Sequence, residues 1–108
     1  MEQLANFING KFIQPKSEEY IDVFEPATGQ VYSKVPNSSL ADINVAFQAA
    51  NAAFPGWSEL TVNDRSQYLH KIAALLESQL DDFADYESRD TGKPVTLAQS
   101  VDIPRAIA

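Results

Sequence analysis

The residues able to do chemistry crowd into one stretch, Glu87-Ser88-Arg89-Asp90-Thr91-Gly92-Lys93-Pro94, and the segment behind it, Gln99-Ser100-Val101-Asp102-Ile103-Pro104-Arg105. Asp90 falls in what the pattern reads as the last turn of a helix. A carboxylate there opposes the helix dipole, at a cost of roughly 0.3–1 kcal/mol unless something offsets it. Two readings stay open. Lys93 or main-chain N–H groups neutralise it, or Asp90 and loop carbonyls hold a cation, since hard cations take oxygen ligands. Arg105 follows Pro104 on a segment otherwise apolar at Val101, Ile103, Ala106 and Ile107. Such an arginine is either a surface residue with its stem laid along apolar neighbours, or a recogniser of carboxylate through paired hydrogen bonds.

Other chemistries are excluded by what is missing. The chain has no cysteine, so it holds no disulfide, thiolate metal site or thiol nucleophile. The one histidine, His70, lies off the apolar stripe of its helix, where a Ser/His/Asp arrangement would need it buried beside a serine. No ligands other than carboxylates recur at metal spacing. The acids Glu77, Asp81, Asp82, Asp85 and Glu87 are most simply a solvated helix face. Four glycines are scattered over turns and caps, so no phosphate-cradling loop is present. A formal net charge of −7 disfavours nucleic acid and anionic membranes. The first residues carry no basic and apolar leader, and no apolar run approaches the ~18 residues of a membrane span, so a cytoplasmic protein is expected.

Two groups of elements must position Asp90 and Arg105. Residues 6–36 have strand character. Phe7-Ile8-Asn9-Gly10-Lys11-Phe12 is a hairpin pattern, because Asn-Gly accepts the positive φ angles of a type I′ turn. Ile21 and Val23 alternate with Asp22, and Val31, Ser33 and Val35 alternate with Tyr32 and Lys34. Pro26 and Gly29 between these runs predict a second hairpin, ended by Pro36. Residues 39–108 have helical spacing. Ser39 with Asp42 predicts a capped start for a helix with Ile43, Ala46, Phe47, Ala50, Ala53 and Phe54 on one stripe, stopped by Pro55-Gly56 with Trp57 on the connection. Thr61 with Asp64 caps a second helix, and Ser78 with Asp81 predicts a break into a third, giving Val62–Glu77 and Asp81–Arg89. Thr96 and Gln99 cap the last helix, which Pro104 should kink or restart near Ser100. It runs to Ala108 without a stop signal, which points to a fragment. The fold class is α+β: two hairpins, then three or four amphipathic helices, the outer part of a larger α/β unit.

Phe-Ile-Asn-Gly-Lys-Phe, Glu-Pro-Ala-Thr-Gly, the alanine-rich helix ending Ala53-Phe54-Pro55-Gly56-Trp57, and Glu87 to Pro94 occur in one order and at one spacing. That order resembles the N-terminal, NAD-binding-domain region of an aldehyde dehydrogenase, from about Asn6 onward. One departure is Glu25, where the family often has asparagine before the proline; a turn tolerates either. The ending Val101-Asp102-Ile103-Pro104-Arg105 is similar to a subgroup that oxidises muconic semialdehydes, such as those of 2-aminomuconate and 2-hydroxymuconate. The resemblance implies a homo-oligomeric parent enzyme that uses NAD, or NADP, to oxidise an aldehyde to the acid. The cysteine, glutamate and oxyanion-stabilising asparagine of that mechanism would lie downstream, so this chain alone would be inactive. It also implies a monovalent cation held by main-chain oxygens around Val23 and Phe24 together with Asp90. Val101 and Arg105 would line a substrate tunnel, Arg105 pairing with a substrate carboxylate. A catalytically empty module that packs against a partner is the competing expectation; an unrelated helical binding protein leaves the ordered signatures unexplained.

Overall fold

A computed structural model describes residues 2–108. They divide into two units, one running up to Phe24 and resuming over Val31–Glu59, the other made of Glu25–Gln30 and Leu60–Ala108.

The first unit carries the strands. β1 spans Glu2–Gln3, β2 Asn6–Ile8, β3 Lys11–Ile13, β4 Tyr20–Glu25 and β5 Gln30–Pro36, the facing tips of β4 and β5 belonging to the second unit. β2 and β3 pair antiparallel with Ile8 opposite Lys11, which leaves Asn9-Gly10 as a two-residue loop. Both loop residues have positive φ, 53° and 77°, as the expected type I′ turn demands. Phe7 and Phe12 face each other across the ladder with ring centroids 4.9 Å apart, a tilted aromatic pair. The second hairpin also forms, within a three-stranded sheet of order β1-β5-β4. Its extra strand, β1, is parallel to β5 with Glu2 opposite Ser33. Two residues are too few to show alternation, so this pairing left no trace in the sequence pattern.

Helix α1 (Leu40–Ser58) follows from Ser39. The Asp42 carboxylate accepts the Ser39 N–H at 2.8 Å, the capping partnership the spacing predicts. Its C-terminal boundary differs from expectation. Pro55 and Gly56 lie inside the helix and Trp57 is in its last turn, not on a connection. Both costs of an interior proline, the missing N–H and the ring's crowding of the carbonyl four residues back, fall on the preceding turn, and its φ is already helical. Its carbonyl goes on accepting, from the Glu59 N–H at 3.1 Å and the Ser58 hydroxyl at 3.0 Å.

The second unit is helical: α2 (Val62–Ser78), α3 (Leu80–Thr91), α4 (Val95–Leu97), a π-helical turn (Ala98–Asp102) and α5 (Ile103–Ile107). Thr61 caps α2, its hydroxyl accepting the Asp64 N–H at 3.1 Å, as expected. The break between α2 and α3 is where it was expected, but the Ser78/Asp81 cap is not its cause. Ser78 closes α2, donating to the Leu75 carbonyl at 2.8 Å, while Asp81 accepts from the Gln99 amide at 3.2 Å. A serine three residues before an acid can bond backward as readily as cap forward. Thr96 and Gln99 likewise do not cap: the last helical run begins at Val95 behind Pro94, and both lie within it. Pro104 does disturb that run, as a widening to the π register ahead of α5.

Packing is sparse. Among the described residues the fully buried apolar side chains are Ala84, on α3, and Ala98, on the π turn, two elements in contact. No large side chain among the described residues is fully buried. The apolar stripe of α1 is open, with Phe47 67% exposed, and so is that of α2, with Ile72 54% exposed. Among the described residues no helix is long and apolar enough to cross a membrane.

Candidate functional site

The chemically able residues of the second unit gather where α3 ends and the chain turns into α4. Gly92 ends α3 in the left-handed conformation, φ 78°, with its N–H donating to the Ser88 carbonyl at 2.9 Å. A side chain there would be strained in any case, and its Cβ would lie 3.1 Å from Pro26. Pro26 belongs to the Glu25-Pro26-Ala27-Thr28-Gly29 turn, which is closed by Gly29 N–H donating to the Glu25 carbonyl at 2.8 Å. Glu25 also faces Arg89 at 3.4 Å. Two of the sequence signatures therefore meet: the proline turn rests on the glycine that ends α3.

Lys93 is pinned at both ends. The Ser88 hydroxyl donates to its carbonyl at 2.6 Å, and its ammonium donates to the Asp102 carboxylate at 2.6 Å. That hydrogen bond, reinforced by the negative charges of Asp102 and Glu87 and opposed by partial burial, raises the Lys93 pKa above its ordinary 10.5. Lys93 is thus the partner of Asp102, a pairing the sequence pattern did not predict. The nine-residue separation spans a turn and a helix start, which no periodicity connects. Asp90 itself is exposed near the end of α3.

Asp102 closes the π turn. There the Ile103 N–H reaches back five residues to the Ala98 carbonyl. Pro104 explains the widening: it offers no N–H to the Ser100 carbonyl, so the α pattern fails at that point. Val101, in the turn, is 39% exposed, and Arg105, on α5, is exposed. The other cations of this unit are engaged. Arg65 donates to the Leu60 carbonyl, Lys71 lies 5.6 Å from the Tyr68 ring centroid, Arg89 faces Glu25 and Lys93 holds Asp102. Arg105 has no ion pair or side-chain hydrogen bond among the described residues.

In the first unit, Val23 is half-buried and Phe24 57% exposed, both on β4, an edge strand of its sheet. Successive carbonyls of a strand point to opposite sides, so only one of these two can face away from β5. His70 is exposed on α2, in line with a solvated role. No group of three or more His, Cys, Asp or Glu that could hold a metal ion occurs among the described residues.

The strand-then-helix order and the proline turn seated on the end of α3 define an α+β segment. The chain belongs to the aldehyde dehydrogenase family, whose model matches residues 12–108. Among its relatives, the 2-aminomuconic semialdehyde dehydrogenase of Bos taurus is 51% identical over 96% of this chain and 21% of its own length. The 2-hydroxymuconic semialdehyde dehydrogenase of Pseudomonas sp. (strain CF600) is 38% identical over 100% of this chain and 22% of its own. PnpE from Pseudomonas sp. WBC-3 superimposes with a TM-score of 0.95 at 33% identity, over 98% of this chain and 22% of that one. PnpE has also been seen in complex with nicotinamide adenine dinucleotide. The chain thus spans about one fifth of the length of these relatives. It is an N-terminal segment of the family fold, and the resemblance read from its ordered motifs, down to the muconic semialdehyde subgroup, holds.

Proposed function

We propose that this chain is part of an NAD-dependent aldehyde dehydrogenase, homo-oligomeric, whose substrate carries a carboxylate, with the semialdehydes of 2-aminomuconate and 2-hydroxymuconate as the leading candidates. The observation that carries the reading is Arg105: an exposed guanidinium without a protein partner, in a unit where every other lysine and arginine has one. A guanidinium presents two parallel N–H groups that match a carboxylate, and such charge-assisted pairs are stronger than neutral hydrogen bonds. Val101, one turn earlier, supplies apolar contact to the substrate's carbon chain.

NAD does not fit the residues of this segment. Gly10, Gly29 and Gly92 are spent on positive-φ turns and Gly56 lies within α1, so nothing here cradles a pyrophosphate. The dinucleotide would be held by residues elsewhere in the whole protein, and NADP is the alternative that a side-by-side assay with each cofactor separates. The thiol chemistry must also lie elsewhere, because the chain has no cysteine. A monovalent cation bound by the Asp90 carboxylate together with main-chain oxygens belongs to the same reading; one carboxylate with carbonyl oxygens is a donor set that suits a hard, weakly charged ion. Its mark is a melting temperature of the whole enzyme that rises with added potassium or sodium chloride more than with a bulky organic chloride. Asp90→Asn should abolish that difference, and a difference that survives the substitution removes Asp90 from the site.

The whole enzyme with Arg105→Leu tests the main reading. KM for a carboxylate-bearing semialdehyde should rise about tenfold or more, the loss of one charge-assisted hydrogen-bonding group. Neutral aldehydes of similar length should keep their KM. A rise shared by both substrate types removes Arg105 from carboxylate recognition.

A further inference from the structure

The Lys93–Asp102 pair has no part in the family chemistry described above, yet it is the most constrained polar contact around the π turn. Its two side chains are only 33% and 29% exposed, and the atoms meet at 2.6 Å. Lys93 acts from a fixed point, because the Ser88 hydroxyl anchors its carbonyl at 2.6 Å. The other tie to a side chain outside the run, Gln99 to Asp81 at 3.2 Å, is exposed and neutral on one side, and so weaker, while the Ser100 hydroxyl only bonds back within the run to the Thr96 carbonyl at 2.7 Å.

A π turn admits one more residue than an α turn, and each residue added to a helix rotates everything after it by about 100°. The direction in which Arg105 faces therefore depends on the turn keeping its widened register. Pro104 makes the α register unfavourable at Ser100 but does nothing to hold the π one. Asp102 is the last residue of the turn and lies three before Arg105, on the adjoining part of the same helical surface.

We propose that Lys93 and Asp102 are a positioning pair: the ion pair clamps the π turn in register and so aims Arg105, and with it Val101, at the substrate. The assignment rests on the carboxylate-recognition reading of Arg105. In the whole enzyme, Lys93→Met and Asp102→Asn should each raise KM for a carboxylate-bearing semialdehyde about tenfold while kcat, and both constants for a neutral aldehyde, stay within about twofold. Lys93→Arg, which keeps the charge, should recover most of the lost selectivity. Equal changes on both substrate types, or a fall in kcat alone, overturn the assignment. If Lys93→Met does not fold, the Lys93→Gln/Asp102→Asn double variant retains a neutral hydrogen-bonded pair for the same comparison. A crystal structure of the folded variant is the independent arm: the guanidinium of Arg105 should be displaced and the Ile103-to-Ala98 hydrogen bond lost. An Arg105 that has not moved overturns the positioning role. That arm decides even if Arg105→Leu shows no substrate selectivity, a result that would sink only the functional reading.

Discussion

A single carboxylate, Asp42, ties two stretches of the first unit together, the start of α1 and the segment at Lys16. It accepts the Lys16 N–H at 2.6 Å, the Ser39 N–H at 2.8 Å and the Ser39 hydroxyl at 3.0 Å, and it is buried. The half of this arrangement that lies within four residues was legible, because a serine with an acid three places on is a helix-start pattern. The half that reaches Lys16, twenty-six residues away, was not, since nothing local marks it. The Lys16 N–H, then that of Ser39, lower the Asp42 pKa below its ordinary 3.8. A depressed carboxylate adds stability that is fully present above the unfolded value and disappears as pH falls through the folded one. Asp42→Asn should therefore lower the urea midpoint of the whole enzyme at neutral pH, and the gap between variant and parent should narrow steadily once pH drops below about 4. A gap of constant size from pH 7 down to pH 3 would mean that the charge on Asp42 is not what stabilises this junction.

The elements fall into those whose causes are local and those whose causes are not. The Asn9-Gly10 hairpin, the Thr61 cap and the glycine stop of α3 were readable because two to four residues decide each of them. Prolines were harder. Pro55 was read as a stop, yet α1 continues through it, because a proline's cost falls on the turn before it and neighbouring hydrogen bonds carry the helix on. Pro104 disturbs the run as its position predicts, but the form it takes, a π turn over Ala98–Asp102, is tied from outside by Lys93 and Asp81, which no local pattern marks. Periodicity cannot reveal a single inserted residue in so short a run. The same limit governed the site. Arg105 stood out as a lone charge on an apolar segment, whereas Lys93–Asp102 joins residues on either side of a bend. A residue-type pattern finds a group that can do chemistry more readily than the contacts that aim it.

At the scale of the molecule, area decides what the chain is for. It exposes 8029 Å². A closed globule of 11.9 kDa would expose roughly 5,950 Å², and even two independent globules of half that mass together roughly 7,200 Å². The surplus over both figures is the quantity to explain. It lies partly in large apolar side chains, Ile43, Phe47 and Phe54 on α1 and Leu69, Ile72 and Leu75 on α2, at the spacing of a face built to be covered. A core whose fully buried apolar members are two alanines cannot offset the conformational entropy of ordering about a hundred residues. Expressed alone, the 108 residues should bind the dye ANS, give weak near-UV circular dichroism from Trp57 and the tyrosines, and unfold over a broad urea range. The same segment inside the whole enzyme should show none of this. A monomeric, dye-silent chain with one sharp transition would mean that these helices close their own surface, and the competing description, a self-sufficient module, would then be the better one.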